Sequence, residues 1–426
     1  MLLACRPVRL GIAACVITSM FAACRPLAPF PADAGADKRD AGGIQNPTGI
    51  IPTDHEDGGY TPFGSAADKL DLLFIVDNSS SMREEQQALR REFPRMIREL
   101  VTGDHDADGK IDHQPVTDLH IGVVSSNMGA DSELRGCEGL GDDGLLQHAG
   151  NLARDSGLNC MTSYPGFLSY ARGVQGIDVV ASDFGCIAAL GTAGCGFEQH
   201  FESALKALWP ASQPDLTFWS DGSGPSTGHG DRENAGFLRR GATGATLAVI
   251  AIADEDDCST ADRSIFQLEA NPDAGTSYDT QPLNLRCYYN HDKAFPLDRY
   301  LFGFRHLGSR RVVFAGIVGV PVDLVDPAAR SKVDFSNASA RDGFYDKVLA
   351  DPRMQEMLNP QSAGKDGVLN DLNPACSGAL GRAYPARRFV EMAKRFGEDS
   401  LIQSICGASF NAPIDQVVER VSVRLD

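Results

Sequence analysis

The 426-residue chain is short of positive charge: 39 Lys and Arg stand against 57 Asp and Glu, a formal charge of −18. Nucleic acid and anionic lipid surfaces carry the same sign and are disfavoured as partners, which leaves cations and basic proteins. Two common catalytic signatures are also missing. There is no His-Glu-x-x-His and no Gly-x-x-x-x-Gly-Lys-Ser/Thr, so zinc-peptidase and P-loop chemistry are excluded and the chain is expected not to be an enzyme. None of the 9 histidines has a neighbour at metal-ligand spacing, and none of the 11 cysteines forms a Cys-x-x-Cys pair, which removes the usual zinc and redox motifs. The apolar run Leu10–Ala23 falls short of the roughly 20 residues that a spanning helix needs. Hydrophobic residues make up 42% of the chain, enough for a folded body with a large core.

The N-terminus has a basic start, Arg6 and Arg9, then that short apolar run, the anatomy of a secretory leader. It closes on Phe21-Ala22-Ala23-Cys24, which resembles the bacterial lipobox, whose cysteine is acylated and becomes the new N-terminus. Ile12-Ala13-Ala14-Cys15 has the same pattern, but almost no apolar run precedes it. The expectation is a leader over 1–23, a lipid on Cys24 and a membrane contact through that lipid only; the competing reading is a plain secreted protein. Arg25 after the cysteine favours the outer membrane or cell surface over the inner membrane. Eight cysteines remain downstream, an even number that in an exported protein reads as disulfides. Roughly a hundred pairings are possible; sequential pairing, which closes the smallest loops, is the expectation.

Residues 24–67 are rich in Pro, Gly, Ala and Asp without apolar periodicity and read as a flexible tether. Beyond them, apolar runs alternate with helix-period segments, the mark of an α/β protein with a mostly parallel, doubly wound sheet flanked by helices. Strands are expected at Leu72–Val76, Leu119–Val124, Leu247–Ala253, Val312–Val318 and Leu401–Ile405. Helices are expected around Leu89–Leu100, Phe201–Leu208, Ala386–Ala393 and Ile414–Val421. Residues 68–426 are thus read as one domain, with long cysteine-bearing insertions at about 129–182, 209–241 and 320–374.

The first strand runs into Asp77-Asn78-Ser79-Ser80-Ser81, an Asp-x-Ser-x-Ser at the carboxyl end of a strand, where open α/β sheets bind ligands. One carboxylate and two hydroxyls from one loop are hard oxygen ligands suited to Mg²⁺. The bland alternative is a helix N-cap, with Asp77 or Ser79 accepting from the first N–H groups of the next helix. In this motif the chain resembles the von Willebrand factor A (vWA) family, whose metal-ion-dependent adhesion site begins so. The resemblance implies a Thr from a second loop and an Asp after the fourth strand. Asp254 matches the latter; Thr192 in Gly191-Thr192 is the choice for the former, with Glu198 as its rival. The order of the last four elements also matches. The phrases at Gly194–Gln199 and Asp254–Cys258 resemble those of predicted myxobacterial vWA lipoproteins.

A second candidate is Asp104-His105-Asp106-Ala107-Asp108-Gly109-Lys110-Ile111-Asp112, which resembles the start of an EF-hand loop for Ca²⁺ through Asp104, Asp106, Asp108 and Asp112. Pro115 stands where the bidentate Glu belongs, and Asp118 is the substitute; a solvated acidic turn is the alternative. The acidic run continues past Asp254 through Glu255, Asp256 and Asp257, and these three read as a solvated acidic loop. Gly139-Leu140-Gly141-Asp142-Asp143-Gly144 lacks the preceding strand of a dinucleotide site. His120 reads as a satisfied core or edge residue, and Arg387 and Arg388 as a solvated helix face. The expected cofactor is Mg²⁺, with Mn²⁺ or Ca²⁺ as substitutes, and the expected partner a protein offering a carboxylate to it. Two rivals are an envelope assembly protein that uses the metal only to brace loops, and a metal-dependent hydrolase.

Overall fold

The run Lys69–Val76 has every residue after Lys69 buried and forms the central strand of the sheet. The computed structural model describes residues 68–425 apart from 131, 133, 152–158, 221–225, 242, 268–277 and 279. The expected leader, Cys24 and the 24–67 tether lie outside the described residues. In chain order the strands are β1 Lys69–Val76, β2 Asp118–Ser125, β3 Leu168–Ala171, β4 Thr246–Ile252, β5 Arg311–Val318, β6 Cys376–Gly378, β7 Gly381–Ala383 and β8 Ser400–Ser404. The helices are α1 Arg83–Thr102, α2 Ile177–Ile187, α3 His200–Leu208, α4 Arg286–Tyr289, α5 Leu297–Arg305, α6 Val322–Val325, α7 Pro327–Arg330, α8 Ala338–Ala350, α9 Arg387–Phe396 and α10 Asn411–Ser422.

Six strands form one sheet in the order β3-β2-β1-β4-β5-β8, and β6 and β7 form a separate hairpin. All neighbours in the large sheet are parallel except β3, which runs antiparallel to β2 at the edge. β1 is followed in space by β2 on one side and β4 on the other, so the winding reverses between β1 and β4. A crevice opens at such a switch point, outside the carboxyl ends of the strands.

Alternation along β1 sends its side chains into two layers. Leu70, Leu72, Phe74 and Val76 pack with α1, α2 and α10 through Phe93, Ile97, Phe184, Val417 and Val421. Leu73 and Ile75 pack on the opposite face with Phe201, Tyr300, Tyr345 and Phe389 from α3, α5, α8 and α9. Both faces are covered, which is why the strands read as continuous apolar runs. No helix among the described residues is long and apolar enough to cross a membrane.

The five expected strands and four expected helices fall on β1, β2, β4, β5, β8 and on α1, α3, α9, α10. The stretches read as irregular insertions hold more order than expected: 129–182 contains β3 and the start of α2, and 320–374 contains α6, α7 and α8. Helix α8 buries only Phe344, Tyr345 and Val348 along thirteen residues, so its periodicity is faint.

Four disulfides join the eight cysteines, and the sequential expectation holds for two of them, Cys258–Cys287 and Cys376–Cys406. The other two are nested: Cys137–Cys195 encloses Cys160–Cys186. Loop-closure entropy favours the smaller loops by only about 1 kcal/mol each, less than the packing that decides which loops meet. Cys137, Cys195 and Cys258 lie in a third, small core with Phe197, Ile265 and Phe266 beside the carboxyl end of the sheet.

Candidate metal centre

β1 ends at Val76 opposite Ile252 of β4, and the ladder extends one residue further, because Asp77 N–H donates to the Ile252 carbonyl at 3.0 Å. Asp77 therefore emerges at the switch point, fully buried. Its Oδ1 accepts from the Ser79 N–H at 2.8 Å and from the Ser126 hydroxyl at 3.4 Å. From there the oxygens run in a chain: Ser79 Oγ lies 3.0 Å from Ser81 Oγ, which donates to Asp254 Oδ1 at 3.3 Å. Asp254 is buried two residues beyond β4, and its carbonyl accepts from the Tyr384 N–H at 2.7 Å. Ser81 is exposed, so the group reaches solvent on one side only.

The N-cap alternative is not what these side chains do. Neither the 3₁₀ turn Ser80–Met82 nor α1 receives a side-chain cap hydrogen bond at its start.

Of the two rivals for the remaining ligand, Glu198 lines the cleft beside Ser79, Ser81 and Asp254, and Thr192 does not. Glu198 precedes α3, is 3% exposed, and lines the same cleft as Ser79, Ser81 and Asp254. Its carbonyl accepts from the Cys258 N–H at 2.7 Å, so the backbone next to the Cys258–Cys287 disulfide positions it. Thr192 is half-buried and is absent from the cleft wall. Its loop is nevertheless tied to the end of β1. Gln86 donates to the carbonyls of Asp77 and Gly191 and accepts from the Gly191 N–H, and the Gly194 N–H donates to the Asn78 carbonyl. A Cβ on Gly194 would sit 2.0 Å from Asn78 Oδ1, so a larger residue here would displace the Asn78 amide.

Electrostatically the site is crowded with one sign. Burial pushes the Asp254 carboxyl well above the usual carboxylate range, with the charges of Asp77 and Glu255 adding to it. Glu198 is raised in the same direction by burial, then by Glu255 and Asp77. Glu255 is pushed up to about 7, first by desolvation and then by Asp77. Glu85 on α1 is also pushed up to about 7, chiefly by burial. Among buried atoms, Asp77 Oδ2 and Glu198 Oε1 meet no hydrogen-bond partner. Unsatisfied buried carboxylate oxygens are costly, and carboxylates with hydroxyls are the donors a hard divalent cation takes. The donor chemistry suits Mg²⁺ or a similar ion, but the carboxylate oxygens of Asp77, Glu198 and Asp254 do not all lie within 4.8 Å of one another, so binding one would draw them closer.

The rest of the acidic run is not a solvated loop. Asp257 Oδ1 accepts from the Phe201 N–H at the start of α3 and from the Ser259 hydroxyl, while Oδ2 accepts from Arg388 Nε at 3.1 Å. Asp256 accepts from the Arg388 N–H. The expectation of a solvated face at Arg387 and Arg388 is corrected with it: both are half-buried, and Arg387 donates to the carbonyls of Leu349 and Met354. A charged side chain pointing at carboxylates and carbonyls looks in sequence like any surface arginine. His200, which the sequence did not single out, is fully buried at the head of α3 with Nε2 3.7 Å from Asp77 Oδ2. His120 is a satisfied residue as expected: its Nδ1 meets the Phe237 carbonyl at 2.8 Å.

The cleft beside the group has a volume of about 700 Å³. Its wall continues from Ser81 and Glu198 through Glu255 to Tyr288, His291, Asp371, Arg382 and Tyr384.

The Asp-rich loop follows α1, which Gly103 closes in the left-handed conformation. Carboxylate oxygens of Asp104, Asp106 and Asp108 lie within 4.8 Å of one another. Asp112 is turned away to accept from the His105 N–H at 2.9 Å. Lys110 Nζ already sits 2.5 Å from Asp108 Oδ2, and Asp118 is taken up by an ion pair with Arg239. Three of the four expected calcium ligands are thus brought together, without the fourth or its substitute.

Gly224-Pro225-Ser226-Thr227-Gly228 has the spacing of a hydrolase nucleophile elbow, but Ser226 is bridged to Phe218 within an insertion rather than standing at the end of a strand of the sheet. The glycines at 139, 141 and 144 all adopt positive φ and serve turns; a Cβ on Gly141 would meet Asn127 Oδ1 and the Gly129 nitrogen at 2.3 Å.

No protein-family model matches the chain, and no curated protein matches it.

Proposed function

We propose that this is an exported, lipid-anchored protein whose vWA-like domain binds a divalent cation and, through it, a protein partner. The observation that supports the reading most is the chain of oxygens from Ser79 through Ser81 to Asp254 at the switch point of the sheet, beside Glu198 in the cleft, with Asp77 Oδ2 and Glu198 Oε1 buried and unsatisfied. Asp77, Glu198 and Asp254 would supply charge to Mg²⁺, and Ser79 and Ser81 neutral oxygens. A cation held there offers a carboxylate from a partner an electrostatic anchor in the cleft. The protein's own groups do the rest. Gln86 fixes the carbonyl of Asp77, Ser126 and the Ser79 N–H fix its Oδ1, and Tyr384 fixes the backbone of Asp254.

Exposure of Ser81 beside buried Asp77 favours a partner-facing ion over one that only braces loops. The net charge of −18 opposes nucleic acid as that partner. Calorimetric titration of the full chain with Mg²⁺, followed by pull-down from the cell envelope with and without EDTA, tests the reading. Asp77→Ala abolishes both ion binding and partner capture while the domain stays folded. Capture that persists unchanged after chelation refutes the adhesion reading, and a bracing role alone shows as ion binding without ion-dependent capture.

A further inference from the structure

A second site lies away from the metal centre, where α7 and the C-terminal half of α10 meet the start of β8. Arg330, the last residue of α7, is 6% exposed, and its Nη1 is buried without a hydrogen-bond partner. Its guanidinium carbon lies 4.2 Å from the Phe335 ring centroid and 5.8 Å from that of Phe344. Arg420 on α10 spends Nη1 on the Glu398 carbonyl at 3.0 Å and leaves a buried Nε without a partner. Both arginines line a pocket of about 310 Å³ with Glu419, whose charge acts on both without coming within ion-pair distance of either among the described residues. Their neighbour Arg424 also has a buried Nε without a hydrogen-bond partner, but it differs in being ion-paired with both Glu398 and Asp399.

A buried cation left without a counter-ion costs stability, so its retention calls for an anion from outside the chain. Burial lowers each guanidinium from its ordinary value; Tyr345, which also hydrogen-bonds the Arg330 side chain, opposes this, while the charge of Arg420 lowers Arg330 further and that of Arg424 lowers Arg420. The carboxylate of the pocket, Glu419, is exposed and accepts from Gln416 Nε2 at 2.9 Å. Stacking on Phe335 holds the Arg330 fork in place, which lowers the ordering cost of binding. Two forks arriving from different helices suit a tetrahedral oxyanion, whose oxygens accept from several directions; a planar carboxylate serves one fork.

We infer that the Arg330–Arg420 pocket is a binding site for a phosphate group, carried by a small soluble molecule or by a lipid headgroup. The test titrates the full chain with inorganic phosphate and with glycerol 3-phosphate at constant ionic strength, reading heat and melting temperature, with acetate as the control anion. Saturable phosphate binding is expected, with none for acetate. Arg420→Gln weakens it about tenfold or more, the loss of a charge-assisted hydrogen bond. Arg330→Met abolishes it, and in phosphate-free buffer melts no lower than the parent chain because an uncompensated charge has been replaced by packing volume. Equal affinity for the two phosphates assigns the site to soluble phosphate; markedly tighter glycerol 3-phosphate assigns it to a headgroup. Absence of saturable binding, or binding that both variants leave unchanged, overturns the inference.

Discussion

Glu198→Gln should move stability in opposite directions with and without a divalent ion. In EDTA, Glu198 is a buried carboxylate facing Asp77, Asp254 and Glu255. Two like charges about 4 Å apart repel by about 4 kcal/mol at an effective dielectric constant near 20, though protonation relieves much of this in carboxyls whose pKa is raised. A net gain of about 1 to 2 kcal/mol for the neutral amide is therefore expected. For a domain of this size that is a rise of about 1 to 3 °C in melting temperature. With Mg²⁺ the sign reverses. Parent protein at a hundredfold excess over the dissociation constant gains about 2.7 kcal/mol through linkage, while the variant, with one charged ligand fewer, binds about tenfold or more weakly and gains correspondingly less at the same concentration. Scanning calorimetry of both proteins in EDTA and across a Mg²⁺ titration reads all four states. A variant that melts below the parent in EDTA, and that Mg²⁺ stabilises equally, would show Glu198 to be a structural residue and remove the charge-crowding argument.

His229 should set an upper pH limit on stability. It sits between Asp143 Oδ2 at 3.1 Å and Glu233 Oε2 at 2.6 Å, and those carboxylates raise its pKa against the opposing effect of burial. Its stabilisation is complete below the unfolded value of 6.5 and is lost as pH rises through the higher folded value; denaturant melts of His229→Gln should lack that loss, and an identical pH profile would refute the pairing. Phe184 packs at a tilt against Phe74 and Phe93 with both centroid distances at 4.7 Å, so Phe184→Ala should cost about 3 to 5 kcal/mol in urea unfolding; a loss below about 1 kcal/mol would contradict the packing. Replacing both Cys258 and Cys287 by Ser frees a loop of sequence separation 29 beside the cleft and should cost about 3 to 4 kcal/mol by chain entropy, read by the same urea titration under non-reducing conditions; an unchanged midpoint would mean that this bond constrains nothing.

Much of the site was legible before any fold was known. Asp77, Ser79 and Ser81 are three residues of one loop, so their convergence is local, and an apolar strand before them places them at a strand end. Asp254 was legible for the same reason, as the first carboxylate beyond the run of β4. Glu198 was visible only as a rival to Thr192, because their placement turns on how the Gly191–Gln199 segment, tied down at Cys195, folds. His200 carried no signal at all. A lone histidine after an apolar-rich loop is common, and only burial 3.7 Å from Asp77 Oδ2 gives it meaning. Helices α2 and α5 were readable in principle: Val180, Ala181, Phe184 and Ile187 are buried on one face, as are Leu297, Tyr300 and Phe304. Cysteine-rich surroundings and loop-like composition hid them. β3, four residues long and alternating, is too short for any periodicity to register.

By itself the sequence determined the layered α/β plan, since strands buried on both faces must be continuously apolar and helices beside them must be amphipathic, and it determined the hard-oxygen character of the loop after β1. Tertiary structure alone decided which distant loops meet at the crevice, and so put Glu198 rather than Thr192 on the cleft wall, nested Cys160–Cys186 inside Cys137–Cys195, turned Asp256, Asp257 and Arg388 inward, and left Arg330 buried beside Arg420 without an ion-pair partner. Local propensity is written into neighbouring residues, whereas these pairings are set by small differences in packing between segments many residues apart, and no short stretch of chain records them.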